Sequence, residues 1–228
     1  MKIALIGLDG SGKSANINLM KKDDDYKDFE FLWVRWQPSI TILLYKIKHR
    51  NDVTGVRKND LNGQKKQTKL NAEYSKKSAI KSKLFKTRLV RKIWMSYAIK
   101  DYKKQFIEKT KGAIEGDRNI VFDRYYLDLF IDQGINFGYT PKEVYSEILK
   151  YKKSFPVMDK VIYINVSPEV CFARKDDIPS MDYLEKRFNI YKYIGKCENW
   201  IVIDGEQELE KVYSDIKTAI FNDMRSTN

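Results

Sequence analysis

The chain has 228 residues, 43% of them hydrophobic, enough for one substantial core and predicted as a single domain carrying an insertion. No run of about 18 apolar residues occurs, which argues against a membrane-spanning helix, and the N-terminus reads as a strand rather than a signal peptide. Two cysteines, Cys171 and Cys197, without metal-ligand spacing give neither a disulfide framework nor a zinc module, so a reducing cytoplasm is expected.

The first predicted strand, 2–6, is a short apolar run of the kind buried in a parallel sheet. Directly after it, Gly7-Leu8-Asp9-Gly10-Ser11-Gly12-Lys13-Ser14 spells G-x-x-x-x-G-K-S. Glycines there let backbone N–H groups converge on one point. The predicted helix 13–21 then offers its N-terminus, where free N–H groups and the dipole favour an anion. Lys13 supplies a positive charge for the outer phosphates and Ser14 a hydroxyl for Mg²⁺. Gly10, Gly12 and Ala15 also fit G-x-G-x-x-A, but a dinucleotide site wants an acid after the second strand. The predicted second strand, 29–35, ends with Arg35 instead. The loop is therefore read as a nucleoside triphosphate site, with ATP and Mg²⁺ as cofactors.

Residues 46–92 hold 16 lysines and arginines against three acids, a net +13 that matches the whole chain's excess of +12. The stretch "NDVTGVRKNDLNGQKKQTKLN" is polar and reads as a long loop. Such charge suits a phosphorylated substrate, nucleic acid or an anionic membrane. The lack of interleaved aromatic residues favours a solvated lysine-rich face over nucleic acid. A helix over 79–111 follows, with Ile93, Trp94, Tyr97, Ala98 and Tyr102 as its core stripe. Strands at 119–123, 160–165 and 200–203 alternate with helices at 125–133, 141–153, 168–174, 181–194 and 206–222. That alternation predicts a parallel α/β sheet with ligands at the carboxyl ends of its strands. The strand at 119–123 ends at such a position in Asp123-Arg124, a carboxylate for Mg²⁺ beside a guanidinium fork for a second phosphate.

Together, "GLDGSGKS" and the later "DRY" resemble the thymidylate kinase family of nucleoside monophosphate kinases. Asp123, Arg124, Tyr125, Gln133 and Gly134 keep the register of that family's second motif, and "NWIVIDGEQELEKVYSDI" is similar to its last strand and helix. The resemblance implies a five-stranded parallel sheet of the phosphate-loop kinase fold. It also implies γ-phosphoryl transfer from ATP to a nucleoside monophosphate, dTMP first among them. It puts Asp9 on the acceptor sugar, Arg124 on the acceptor phosphate, and Tyr125, Asp128 and Gln133 around the acceptor. Arg35 and Pro38 read as remnants of a further acceptor segment. It makes residues 172–188 a lid whose Arg174, with Lys175 and Arg187 behind it, brings charge to the migrating phosphoryl group. Dimers through helices beside the "DRY" strand are a family habit.

Two residues depart from that pattern. Asp128 stands where the family has Ser, and Asp132 where it has Tyr. Carboxylates there repel an anionic acceptor unless paired, and they suit hydroxyl groups. The alternatives are a kinase of another acceptor, such as a sugar or sugar phosphate, and an ATP-gated binding module. With a hydroxyl acceptor, Asp9 or Asp128 would receive its proton.

Overall fold

The computed structural model describes residues 1–39 and 63–225, with side chains for 1–39 and 72–222. Of the basic insertion predicted at 46–92, residues 46–62 lie outside the described residues. Five strands form one parallel sheet: β1 (Lys2–Gly7), β2 (Phe29–Trp33), β3 (Asn119–Asp123), β4 (Lys160–Asn165) and β5 (Ile201–Asp204). Their order across the sheet is β2-β3-β1-β4-β5, so β1 lies at the centre. Ile3, Ala4, Leu5 and Ile6 of β1 are fully buried. A strand covered on both faces needs such an unbroken apolar run, each large side chain contributing about 1.5–3 kcal/mol by burial.

The helices are α1 (Lys13–Met20), α2 (Gly63–Leu84), α3 (Arg88–Glu115), α4 (Tyr126–Phe137), α5 (Pro141–Tyr151), α6 (Pro168–Arg174), α7 (Met181–Cys197) and α8 (Leu209–Arg225). Two expectations need correction. The part of the polar stretch from Gly63 onward is helical rather than loop, and the single helix expected over 79–111 is two. The break has a packing cause. Phe85 turns inward against Trp94 and Phe137, and the Thr87 hydroxyl then caps a new helix by accepting from the Val90 N–H at 3.4 Å. The buried stripe of α3 runs through Met95, Ala98, Ile99, Tyr102 and Phe106, while Ile93, expected in the core, is 63% exposed. Among the described residues no helix is long and apolar enough to cross a membrane.

Strand β2 stops at Trp33, which frees Arg35 to leave the sheet plane. β1 and β3 are in register so that Leu5 lies beside Asp123, bringing the loop after β1 and the end of β3 to one edge. In that loop Gly10 has φ +91°, and a Cβ there would lie 2.5 Å from the Cys171 carbonyl oxygen of α6. Gly12 has φ +90° but open space, its nearest neighbour being the Asn16 amide at 3.7 Å. Gly10→Ala is therefore expected to cost more than the roughly 1–3 kcal/mol of backbone strain. Gly12→Ala should cost only that strain. Urea unfolding of the two variants checks the order, and equal losses would contradict it.

Candidate active site

A cleft of about 540 Å³ opens at the carboxyl ends of β1 and β3. It is lined by Gly12, Lys13, Ser14, Asp123, Arg174 and Lys175 together with Asp9, Trp33, Arg35 and Arg124. Lys13 is nearly buried, and its ammonium donates to the Gly7 carbonyl at 2.9 Å, the Leu8 carbonyl at 2.5 Å and the Ser11 hydroxyl at 3.2 Å. Burial, then the neighbouring Arg124, lowers its pKa to about 8. The charge intended for phosphates thus rests on the loop's own carbonyls. Burial raises the Asp123 pKa from its ordinary value in spite of Lys13 and Arg124. That carboxylate and the Ser14 hydroxyl line the same cleft, two hard oxygens of the kind a divalent cation takes. Among the described residues no group of three or more His, Cys, Asp or Glu could hold a metal unaided. The donor set thus fits Mg²⁺ that takes its other ligands from phosphate and water.

Asp9, Arg35 and Arg124 belong to an ion network. Arg124 donates through Nη1 to Asp128 at 2.7 Å and through Nη2 to Asp9. Its backbone is in the left-handed region, φ +72°. Asp9 also accepts from the Tyr183 hydroxyl at 2.7 Å and has Arg35 at 3.9 Å. Burial works to raise Asp9, but Arg124, Arg35 and Lys13 outweigh it and hold the carboxyl well below its usual range. Arg35 reaches Asp132 at 3.3 Å, and Arg187 pairs with the same carboxylate while lying 3.6 Å over the Tyr183 ring. Burial is again outweighed at Asp132, whose pKa is lowered by Arg187 and Arg35. The Tyr191 hydroxyl donates to Asp128 at 3.0 Å.

Local structure explains the convergence. Asp128 and Asp132 stand four residues apart on α4, which places them along one face, and Arg124, two residues before the helix, reaches onto Asp128. Tyr183, Arg187 and Tyr191 stand at steps of four along one face of α7. The Ser180 hydroxyl caps α7 by accepting from the Tyr183 N–H at 3.2 Å and so fixes where that ladder starts. The two ladders face each other, with Asp9 and Arg35 between them.

Several residues sit elsewhere than expected. Tyr125 is buried with its hydroxyl on the Pro156 carbonyl and its ring against Phe122, so its side chain leaves the cleft. Gln133 is also buried, accepting from the Trp94 indole at 2.8 Å and from Asn136 at 3.4 Å. The lid candidates divide. Arg174 donates to the Gly205 carbonyl at 2.8 Å and Lys175 pairs with Asp177 at 3.1 Å, both on the phosphate side, whereas Arg187 belongs to the network with Asp132. Residues 172–188 are accordingly the end of α6, a connection, and the start of α7. Tyr183 had not been singled out in the sequence. Its four-residue spacing to Arg187 was the available signal.

No family model matches the chain. A thymidylate kinase of Prochlorococcus marinus (strain AS9601) is 28% identical over 106 residues, 42% of this chain and 50% of that protein. The chain thus spans about half the length of this curated relative. Among solved structures, a deoxyadenosine kinase from M. mycoides with bound dATP superposes with a TM-score of 0.54 at 18% identity, over 96% of this chain and 99% of that one. The same kinase with bound dCTP gives a TM-score of 0.50 at 18% identity, over 99% of this chain and 100% of that one. The five-stranded parallel sheet therefore has the fold of that deoxyadenosine kinase, and the resemblance read from the motifs is matched by a partial likeness to a thymidylate kinase.

Proposed function

We propose that the protein is a kinase that moves the γ-phosphoryl group of ATP to a nucleoside or nucleoside monophosphate. The observation that carries the reading is the joining of two unlike sets on one cleft: Lys13, Ser14, Asp123 and Arg174 as the phosphate-loop set, and Asp9, Arg35 and Arg124 as a second, charged set. A module that only bound ATP would have no use for the second set. Amides of Gly10 to Ser14 would cradle the phosphates, and Lys13 would leave the Gly7 and Leu8 carbonyls for them. Ser14 and Asp123 would hold Mg²⁺, which when bound neutralises phosphate charge. Arg174 is the leading group for the migrating charge. The partial likeness to a thymidylate kinase makes dTMP the first acceptor to try. A hydroxyl acceptor is the second reading, favoured by the pairing of Arg124 with Asp9 and Asp128.

The test is ADP release from Mg-ATP across dTMP, dUMP, UMP, CMP, AMP, the matching nucleosides and several sugars, with Lys13→Ala as the blank. ATP that binds without acceptor-dependent, Lys13-dependent turnover would sink the kinase reading and leave a binding module.

The lowered pKa of Lys13 gives a pH signature. ATP affinity should be level below pH 8 and fall by about tenfold per pH unit above it as the ammonium loses its proton. Fold stability should move the opposite way. Between about 8 and the ordinary 10.5 the unfolded chain holds a proton that the folded chain has lost, so stability rises with pH. Equilibrium titration with a fluorescent ATP analogue, beside urea unfolding at each pH, reads both. Lys13→Met should abolish both slopes.

A further inference from the structure

We propose that Asp128 and Asp132 are specificity-determining residues that make the acceptor side neutral. The cleft then selects an uncharged nucleoside, phosphorylated on a sugar hydroxyl, over that nucleoside's own monophosphate. The inference rests on the kinase reading above and narrows its acceptor.

Three guanidinium groups stand at the acceptor side, which by itself would describe a phosphate site. Each is already engaged by a carboxylate: Arg124 by Asp128 and Asp9, Arg35 by Asp132, and Arg187 by Asp132. Three arginines against three aspartates cancel within this network; Lys81, near Asp132 and Arg187, is turned to the Asn136 side-chain carbonyl at 3.1 Å. Arg124 has both terminal nitrogens committed, at only 11% side-chain exposure, and Asp128 is 7% exposed. A phosphate dianion reaching Arg124 must displace Asp128. The displaced carboxylate would remain buried beside a second anion, with the Tyr191 hydroxyl and the Tyr125 N–H as its remaining donors. A neutral hydroxyl meets no such opposition. Asp9, which lines the cleft, has oxygen lone pairs to accept a hydrogen bond from it while keeping Arg124 and Tyr183.

The chemistry balances without another reactant. The hydroxyl oxygen forms a bond to the γ-phosphorus, and the bond from that phosphorus to the β–γ bridging oxygen breaks, its electron pair leaving with ADP. The hydroxyl proton is lost to solvent as the new P–O bond forms; Asp9, held well below its usual range by the arginines, orients the hydroxyl and does not take its proton. ATP and nucleoside become ADP, nucleoside monophosphate and one proton. Asp128 and Asp132 touch neither reactant in this scheme. They act through Arg124, Arg35 and Arg187 and are positioning residues.

The test compares kcat/KM for matched pairs: thymidine with dTMP, deoxycytidine with dCMP, and deoxyadenosine with dAMP, each against the Lys13→Ala blank. For the best pair the wild type should prefer the nucleoside by about tenfold or more, the scale set by one uncompensated charge at close range. Asp132→Asn keeps the shape of a partly exposed side chain and frees Arg35 and Arg187. It should shift the ratio toward the monophosphate by about tenfold, through a lower KM for the monophosphate. Asp128→Asn should act in the same direction where it folds. A wild type that prefers monophosphates overturns the inference and leaves the kinase reading intact, as does an Asp132→Asn ratio equal to the wild type's. No Lys13-dependent ADP release with either member of any pair overturns the kinase reading and the inference with it.

Discussion

Arg174→Ala is expected to slow phosphoryl transfer by about 10³–10⁵, the range found when a transition-state arginine is removed. The phosphate loop has no arginine of its own, and Arg174 is the guanidinium that α6 brings to the Lys13 side of the cleft. One of its terminal nitrogens holds the Gly205 carbonyl, which leaves other N–H donors of the fork for a phosphoryl group. ATP affinity should change little, because a charge that counts chiefly in the transition state appears in kcat. Thermal unfolding should also change little. Arg187→Ala is the contrasting case, since it removes the partner of Asp132 and should disturb stability and acceptor KM instead. Single-turnover kinetics of the two variants decides between them. A full loss with Arg187→Ala and none with Arg174→Ala would exchange their roles.

Arg124→Leu should lower stability at neutral pH by about 3–5 kcal/mol, the usual cost of leaving a buried ionic partner alone. Here two carboxylates are left, those of Asp9 and Asp128. The sign of the pH dependence follows from Asp9, which the arginines hold below its ordinary range. In the wild type that stabilisation is present above the unfolded value of about 4 and is lost as pH falls through it toward the lower folded value. In the variant Asp9 keeps Arg35 and Tyr183 but loses the first of the cations that outweigh its burial, so its carboxyl moves back toward the ordinary range and acid costs the variant less. The gap between the two proteins should therefore stay level from pH 7 to about 4 and narrow as pH falls below that. Urea unfolding across that range measures it. A loss below 1 kcal/mol, or a gap that ignores pH, would mean the network holds nothing together.

The parts of the protein that could be read from its sequence are those set by local physics. The apolar run of β1, the glycines of the loop and the acid-arginine pair closing β3 are each imposed within a dozen residues, by burial on two faces, by positive φ and by a strand end at a ligand edge. The break at Phe85 was hidden because its cause includes a contact with Phe137, distant in the chain, beside the nearer Trp94. The ion network was half visible. Asp128 and Asp132 could be seen to need partners, and Arg124 lay four residues before the first. The second ladder is out of sight of the first: Tyr183 meets Asp9 across 174 residues and Arg187 meets Asp132 across 55. Nothing local says that α7 must turn that face toward α4. Tyr125 went astray for the converse reason, since its position in the motif gave no sign that its ring would join the aromatic core around Phe122 and its hydroxyl would find Pro156.

The left-handed backbone of Arg124 restricts what can replace it. Glycine, asparagine and aspartate are the residues most at ease at φ +72°, and none of them carries a forked cation. Any long side chain at this point is held against the local preference of the main chain, by about 1 kcal/mol. Arg124→Gly and Arg124→Leu should accordingly part company by that amount, glycine being the milder change although it removes more atoms. A substitution scan ranked by side-chain size would misorder this position, and one ranked by backbone ease would place the native residue near the bottom.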